Sequence, residues 1–158
     1  MRLLSALLVT VIMSATACGD GTAGGSCLEV REPEDPLSIQ HVIDPDAVVF
    51  RTNPPTSGPH LAGPALEGIV AQPITGAAQV RTLESGAVVV QYEDAAALDS
   101  LRPLLDDGAA RFVIAPAVAL PSPVVATAWT WKLTCDGPDV ARILEFATAR
   151  TTAAPGID

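Results

Sequence analysis

The chain has 158 residues, 49% of them hydrophobic, with six aromatics and 18 acidic side chains against 9 basic ones. That length suits one domain preceded by a targeting segment. The scattered basic residues form no Arg/Lys stripe, which excludes a phosphate-tracking nucleic-acid surface, and the net charge of −9 reads as solubility, with cation binding the lesser alternative.

Residues 1–17 read as an export signal. Met1-Arg2 is a short positive start, and residues 3–13 are apolar but fall short of the roughly 20 residues of a membrane-spanning helix. Ser14-Ala15-Thr16-Ala17 leads directly into Cys18, the pattern at which a lipoprotein signal is cut to leave a lipidated first cysteine. Ala15 stands where Leu is usual, and Ala15-x-Ala17 is also an ordinary signal-peptidase pattern for the same bond. Lipidation and plain secretion therefore both stay open. Lipidation explains the three cysteines better: with Cys18 taken, Cys27 and Cys135 remain to form a disulfide, the alternative being two separate buried thiols. Residues 18–27, rich in Gly, form a tether behind the lipidated cysteine. The place implied is the extracytoplasmic face of the cell membrane, or the exterior if no lipid is added.

Residues 28–158 read as a single α+β domain. Residues 28–46 form an extended lead-in broken by Pro33, Pro36 and Pro45, with a short strand at 38–42. Residues 47–52 are a strand by β-branched content. Residues 61–80 look irregular, with one helical turn near Ala65-Leu66-Glu67. Residues 87–92, a continuous apolar run, predict a central strand buried on both faces. A helix over 94–105 follows, capped by Asp94, carrying Leu98, Leu101, Leu104 and Leu105, and bent or split at Pro103. Strands at 111–115 and 124–134 come next, the second placing Trp129 and Trp131 on one face, as core or as a stacking surface for a ligand. A last helix begins at Pro138, runs to about Arg150 and buries Val140, Ile143, Leu144 and Ala147. Parallel neighbours joined by the 94–105 helix, then a hairpin, give a small mixed sheet with helices packed on it.

Residues 53–60, Asn-Pro-Pro-Thr-Ser-Gly-Pro-His, are the stiffest stretch of the chain. Three prolines fix φ, push their predecessors to extended conformations, and present one imidazole at the end. Pro54 to His60 resembles the hallmark of a bacterial family of secreted or membrane-anchored proteins known as domain of unknown function 3105. Its second hallmark, His-x-Leu-Glu-His-Gly before a Val-rich strand ending in Tyr, is similar to Arg81-Thr82-Leu83-Glu84-Ser85-Gly86 and the strand that closes on Tyr92. Ala115-Pro116 and Ala126-Thr127-Ala128-Trp129 extend the likeness, which covers about 41–155. The resemblance implies export and a cluster of imidazoles suited to a metal or a buried polar network, and no activity. Here Arg81 and Ser85 stand where two of those histidines would be, which weakens any metal site.

His60, Ser57, Glu84 and Tyr92 are thus the residues to bind a ligand or to lock the loop. In the locking reading His60 bonds Glu84 and Arg81 stays in solvent. The alternative is a divalent metal held by His60, His41 and Glu84; otherwise no cofactor is expected. Neither Ser57 nor Ser85 sits in a Gly-x-Ser-x-Gly elbow, which argues against a serine hydrolase. The absence of Cys-x-x-Cys argues against redox catalysis. The domain reads as a non-catalytic binding or scaffold module, its partners the membrane through the lipid and an envelope protein or small ligand.

Overall fold

A computed structural model describes residues 26–108, 110–151 and 154–155. The export signal, Cys18 and most of the tether lie outside them. The described chain runs β1 (Cys27–Arg31), β2 (His41–Val42), β3 (His60–Leu61), β4 (Gly68–Ile69), α1 (Gly76–Glu84), β5 (Val88–Tyr92), α2 (Ala97–Leu101), β6 (Phe112–Pro116), β7 (Val124–Ala128), β8 (Trp131–Cys135) and α3 (Val140–Arg150). Single 3-10 turns stand at Pro45–Ala47 and Arg102–Leu105.

Six strands form one mixed sheet in the order β1-β8-β7-β5-β6-β4, and β2 and β3 form a separate parallel pair. β5 pairs parallel with β6 on one side and antiparallel with β7 on the other. Every residue of β5 is buried, as its unbroken apolar run predicts. Alternation along the strand separates two cores. Val88, Val90 and Tyr92 pack with Leu101, Leu104, Ile143 and Phe146 under α2 and α3. Val89 packs with Val80, Leu83, Val113 and Trp129 under α1. The fold is a small α+β domain with helices on a mixed sheet.

Cys27 and Cys135 face each other in the β1–β8 register and form a disulfide. They are 108 residues apart in sequence, so the bond closes most of the domain. The chain-entropy model assigns such a loop about 5 kcal/mol of stabilisation. At the same edge Glu29 accepts from Arg142 Nη2 at 2.6 Å and from Arg150 Nε at 2.7 Å, tying α3 to β1. Arg150 also stacks 3.6 Å above the Trp131 ring.

Several elements differ from the sequence reading. Residues 47–52 form no strand: Ala47 ends a 3-10 turn, Val49 stays exposed and Phe50 turns inward against Gly58 and Gly76. The strand expected at 38–42 is reduced to His41–Val42. The turn expected at 65–67 is absent, and the stretch read as irregular contains β4 and the start of α1, whose N-cap is Thr75. The helix over 94–105 is split, its 3-10 half opening at Arg102-Pro103, where proline disrupts α-helical bonding. Asp94 forms a turn by accepting from Ala96 N and does not cap the helix directly. β6 and β7 are not a hairpin, because β5 lies between them. The strand expected over 124–134 is itself a hairpin, β7 and β8, turning at Trp129-Thr130. The two tryptophans consequently fall on opposite sides of the sheet, Trp129 in the α1 core and Trp131 beside the α3 core. Pro138 precedes the Asp139 N-cap of α3 instead of opening its first turn.

Candidate functional site

Residues 54–60 are all buried. Loops usually stay at the surface, because a buried irregular segment strands its backbone polar groups. Proline reduces that problem directly, since three of these seven residues have no N–H to satisfy. Partners from the rest of the fold take up several of the others. Pro55 O accepts from Gln79 Nε2 at 2.9 Å, and Thr56 O accepts from the Thr130 N–H at 3.0 Å. Gly58 N donates to Ser38 Oγ at 3.1 Å, and His60 N donates to Gln40 O at 3.0 Å. Ser57 Oγ accepts from Asp35 N at 2.9 Å. Gly58 sits at φ +128 against the Phe50 ring, a conformation that needs glycine. A Cβ at Gly76 would fall 2.5 Å from the same ring, so Phe50 is seated between two glycines.

Glu32 is the electrostatic anchor of the loop. Its Oε2 accepts from Thr52 Oγ1 at 2.8 Å and Thr56 Oγ1 at 2.7 Å, and its Oε1 meets Lys132 Nζ at 2.7 Å. Burial pushes this carboxyl up, but the Lys132, Thr56 and Thr52 hydrogen bonds outweigh it and hold Glu32 below the usual carboxylate range. Glu32 also donates its N–H to Thr130 O. Thr130 stands at φ +60, rarely adopted by a β-branched residue, and is fixed there by its bonds to Glu32 and Thr56.

His60 is 1% exposed. Its Nδ1 lies 3.2 Å from Gly58 O, so that nitrogen carries the proton and donates. Its Nε2 lies 3.1 Å from Glu84 Oε2, close enough for an ion pair but out of line for a hydrogen bond. Arg81 Nη1 holds the same Glu84 oxygen at 2.7 Å, and Arg81 Nε donates to Gly63 O at 2.6 Å. Arg81 is therefore bonded into the site and does not stand free in solvent. The His41 ring meets His60 edge-on at 4.9 Å. His60 thus touches Glu84 and His41, and Arg81 is added on Glu84. Tyr92 lies on the other face of the sheet, in the α3 core, and is not brought to His60. Ser85 Oγ donates to Thr82 O at 2.7 Å at the end of α1. Among the described residues neither serine hydroxyl bonds to His60, and no three His, Cys, Asp or Glu side chains form a metal-sized cluster. No helix there is long and apolar enough to cross a membrane.

The signature of the family described as Protein of unknown function (DUF3105) matches residues 41–156, well over half of the chain. The chain belongs to the DUF3105 family. No curated protein and no solved structure matches it. The matched DUF3105 region holds the Pro loop, α1 and the His60–Glu84 contact. Glu32 and Cys27, which fasten the loop and the sheet edge, precede it. Glu32, Lys132, Gln79 and Gln91 carry no local pattern and are not singled out by sequence. For Lys132, Gln79 and Gln91 the one signal available is a charged or amide residue within an otherwise apolar stretch; Glu32 stands among acidic residues and prolines.

The depressed Glu32 carboxyl makes a prediction with a definite sign. Its stabilisation is complete above the ordinary value of 4.5 and is lost as pH falls through the lower folded value. Glu32→Gln removes that acid dependence and leaves Lys132 buried without its counter-charge, at a cost on the order of 3 kcal/mol near neutrality. Urea titrations from pH 7 to pH 3 check both, and an unchanged midpoint at pH 7 contradicts the anchoring role.

Proposed function

We propose that this DUF3105 protein is exported, held at the extracytoplasmic face of the membrane by lipid on Cys18, and presents a non-catalytic binding domain. The observation that carries the reading is the Cys27–Cys135 disulfide. It consumes two of the three cysteines and suits an oxidising compartment, leaving Cys18 for the lipid. The Pro loop supports the absence of chemistry. Ser57 accepts a backbone N–H, His60 Nδ1 is engaged with Gly58 O, and Glu84 is neutralised by Arg81. Those bonds hold a shape and leave no activated nucleophile.

Export and anchoring are checked by fractionating cells that express the full chain with and without Cys18→Ser. The expected result is recovery of the wild type with membranes and of the variant in the soluble extracytoplasmic fraction, both with no free thiol at Cys27 or Cys135. A cytoplasmic protein with reactive Cys27 and Cys135 overturns the reading.

A second reading, a divalent metal on His60, His41 and Glu84, draws on the 4.9 Å ring contact and the 3.1 Å approach of Glu84. It is opposed by the Arg81 guanidinium on the same carboxylate oxygen, which puts a positive charge where the cation would sit. Zinc or nickel at a hundredfold excess over the protein is expected to leave the melting temperature unchanged. A rise that disappears in His60→Ala would establish the metal reading instead.

A further inference from the structure

β1 is an edge strand, paired with β8 on one side and, among the described residues, with nothing on the other. Ser26 O accepts from Asp136 N at 3.1 Å and Glu32 N donates to Thr130 O at 2.8 Å, so residues 26 and 32 turn their backbone groups toward the β8 side. Backbone groups alternate sides along an antiparallel strand. Leu28 and Val30 therefore also face β8, and Cys27, Glu29 and Arg31 point their N–H and C=O groups away from the sheet. The Cα atoms of Cys27 and Cys135 stand 4.2 Å apart, the close spacing of an antiparallel pair without mutual backbone bonds, as this alternation requires. Among the described residues none of those outward backbone groups has a partner.

Edge strands are ordinarily blunted by shortness, a bulge or a proline. β4, the opposite edge, is two residues long, but β1 runs five residues in unbroken register without proline. Its side chains sort by face. Cys27 packs on the core under α3, and Glu29 holds Arg142 and Arg150 there. Leu28 and Val30 point to the other face, belong to neither core and stay 65% and 46% exposed. Arg31 has no carboxylate partner among the described residues; its contact is the Trp131 ring, 5.9 Å away.

We propose that β1 pairs with β1 of a second copy, antiparallel about a two-fold axis through Val30, so that two six-stranded sheets become one. Glu29-Val30-Arg31 is self-complementary when reversed: Glu29 faces Arg31 of the second copy, Val30 faces Val30, and Arg31 faces Glu29. The alternation agrees, because Glu29 and Arg31 carry the outward backbone groups and exchange both N–H···O bonds on each side of the axis. Leu28 and Val30 of the two copies then form one apolar stripe. An axis through Glu29 sets like charges opposite each other, and one through Leu28 leaves Arg31 opposite the Gly-rich tether. An extended peptide fits the same backbone groups, but a charge pattern that complements its own reversal favours a second copy. The pairing needs neither lipid on Cys18 nor a ligand, so it stands apart from the binding-module reading.

The test uses the exported full chain carrying Cys18→Ala, which leaves Cys27 and Cys135 as its only cysteines. Sedimentation velocity over a concentration series is expected to show a monomer–dimer equilibrium. Arg31→Glu, which sets two acids opposite each other on both sides of the axis, is expected to weaken the dimer at least about tenfold. Arg31→Pro removes an outward N–H while sparing every bond to β8, and is expected to abolish the dimer with the circular dichroism spectrum unchanged. The register is read with Val30→Cys, expected to cross-link two copies on air oxidation, and with Leu28→Cys, expected to stay uncrosslinked; these and Arg31→Glu decide the matter if the proline variant misfolds. A protein monomeric at its highest soluble concentration overturns the proposal. So does a dimer that survives the Arg31 variants, or one that cross-links through Leu28→Cys in preference to Val30→Cys. Slow exchange of the Glu29 and Arg31 amides in a monomer overturns it as well, because the chain's own residues then cover the edge.

Discussion

Burying an irregular, proline-rich loop is the constraint around which this domain is built. A segment with neither helix nor ladder bonds must find each polar partner elsewhere, and every missing partner costs about 1–3 kcal/mol. Prolines at 54, 55 and 59 remove three donors, and several of the remaining groups are met from the end of β1, the lead-in, α1 and the β7–β8 turn. The loop thereby links the sheet to α1 and to the lead-in. Glu32 joins Thr56 to Lys132, which lies 100 residues after Glu32 in the sequence, and Gln79 joins the loop to Thr127 in the middle of the sheet. Removing one contact exposes the others to the same penalty, so these bonds act together and not as a sum of pairs.

The same constraint explains which parts of the fold are legible in the sequence. β5, α2 and β6 declare themselves because a Val run, a leucine stripe and a second apolar run satisfy local rules and meet in the expected parallel pairing. α1 does not, although Ala77, Val80 and Leu83 have helical spacing and Thr75 caps it; Pro73 and Gly76 make its start look like a breaker. Gly76 is there for Phe50, a tertiary requirement invisible to a local reading. The β7–β8 turn is hidden for a related reason. Nothing in Trp129-Thr130 resembles a turn pair, and Thr130 enters the left-handed region because Glu32 and the Pro loop hold it there. The stretch at 47–52 errs in the opposite sense, with strand composition but Phe50 turned to the two glycines instead of into a ladder.

The site divides along the same line. His60 meets Glu84 and His41, which no spacing in the sequence supports, and Arg81 joins Glu84 because one helical turn places it there. Tyr92 goes to the far core because a strand alternates faces. Gln91, one residue earlier, falls on the loop side for the same reason, which period-2 geometry states once the strand is known. What no local rule supplies is that Gln79 is held by the loop and Gln91 is not.

The central claim is that the Pro loop belongs to the cooperative core. Native-state hydrogen exchange at the Gly58, His60 and Thr130 amides tests it most directly, because each donates into the network that buries the loop. The account predicts that all three exchange only through global unfolding, with the same free energy as the amides of β5. Exchange several kcal/mol easier than that of β5, with the rest of the sheet still protected, would show a loop that opens on its own and would contradict it.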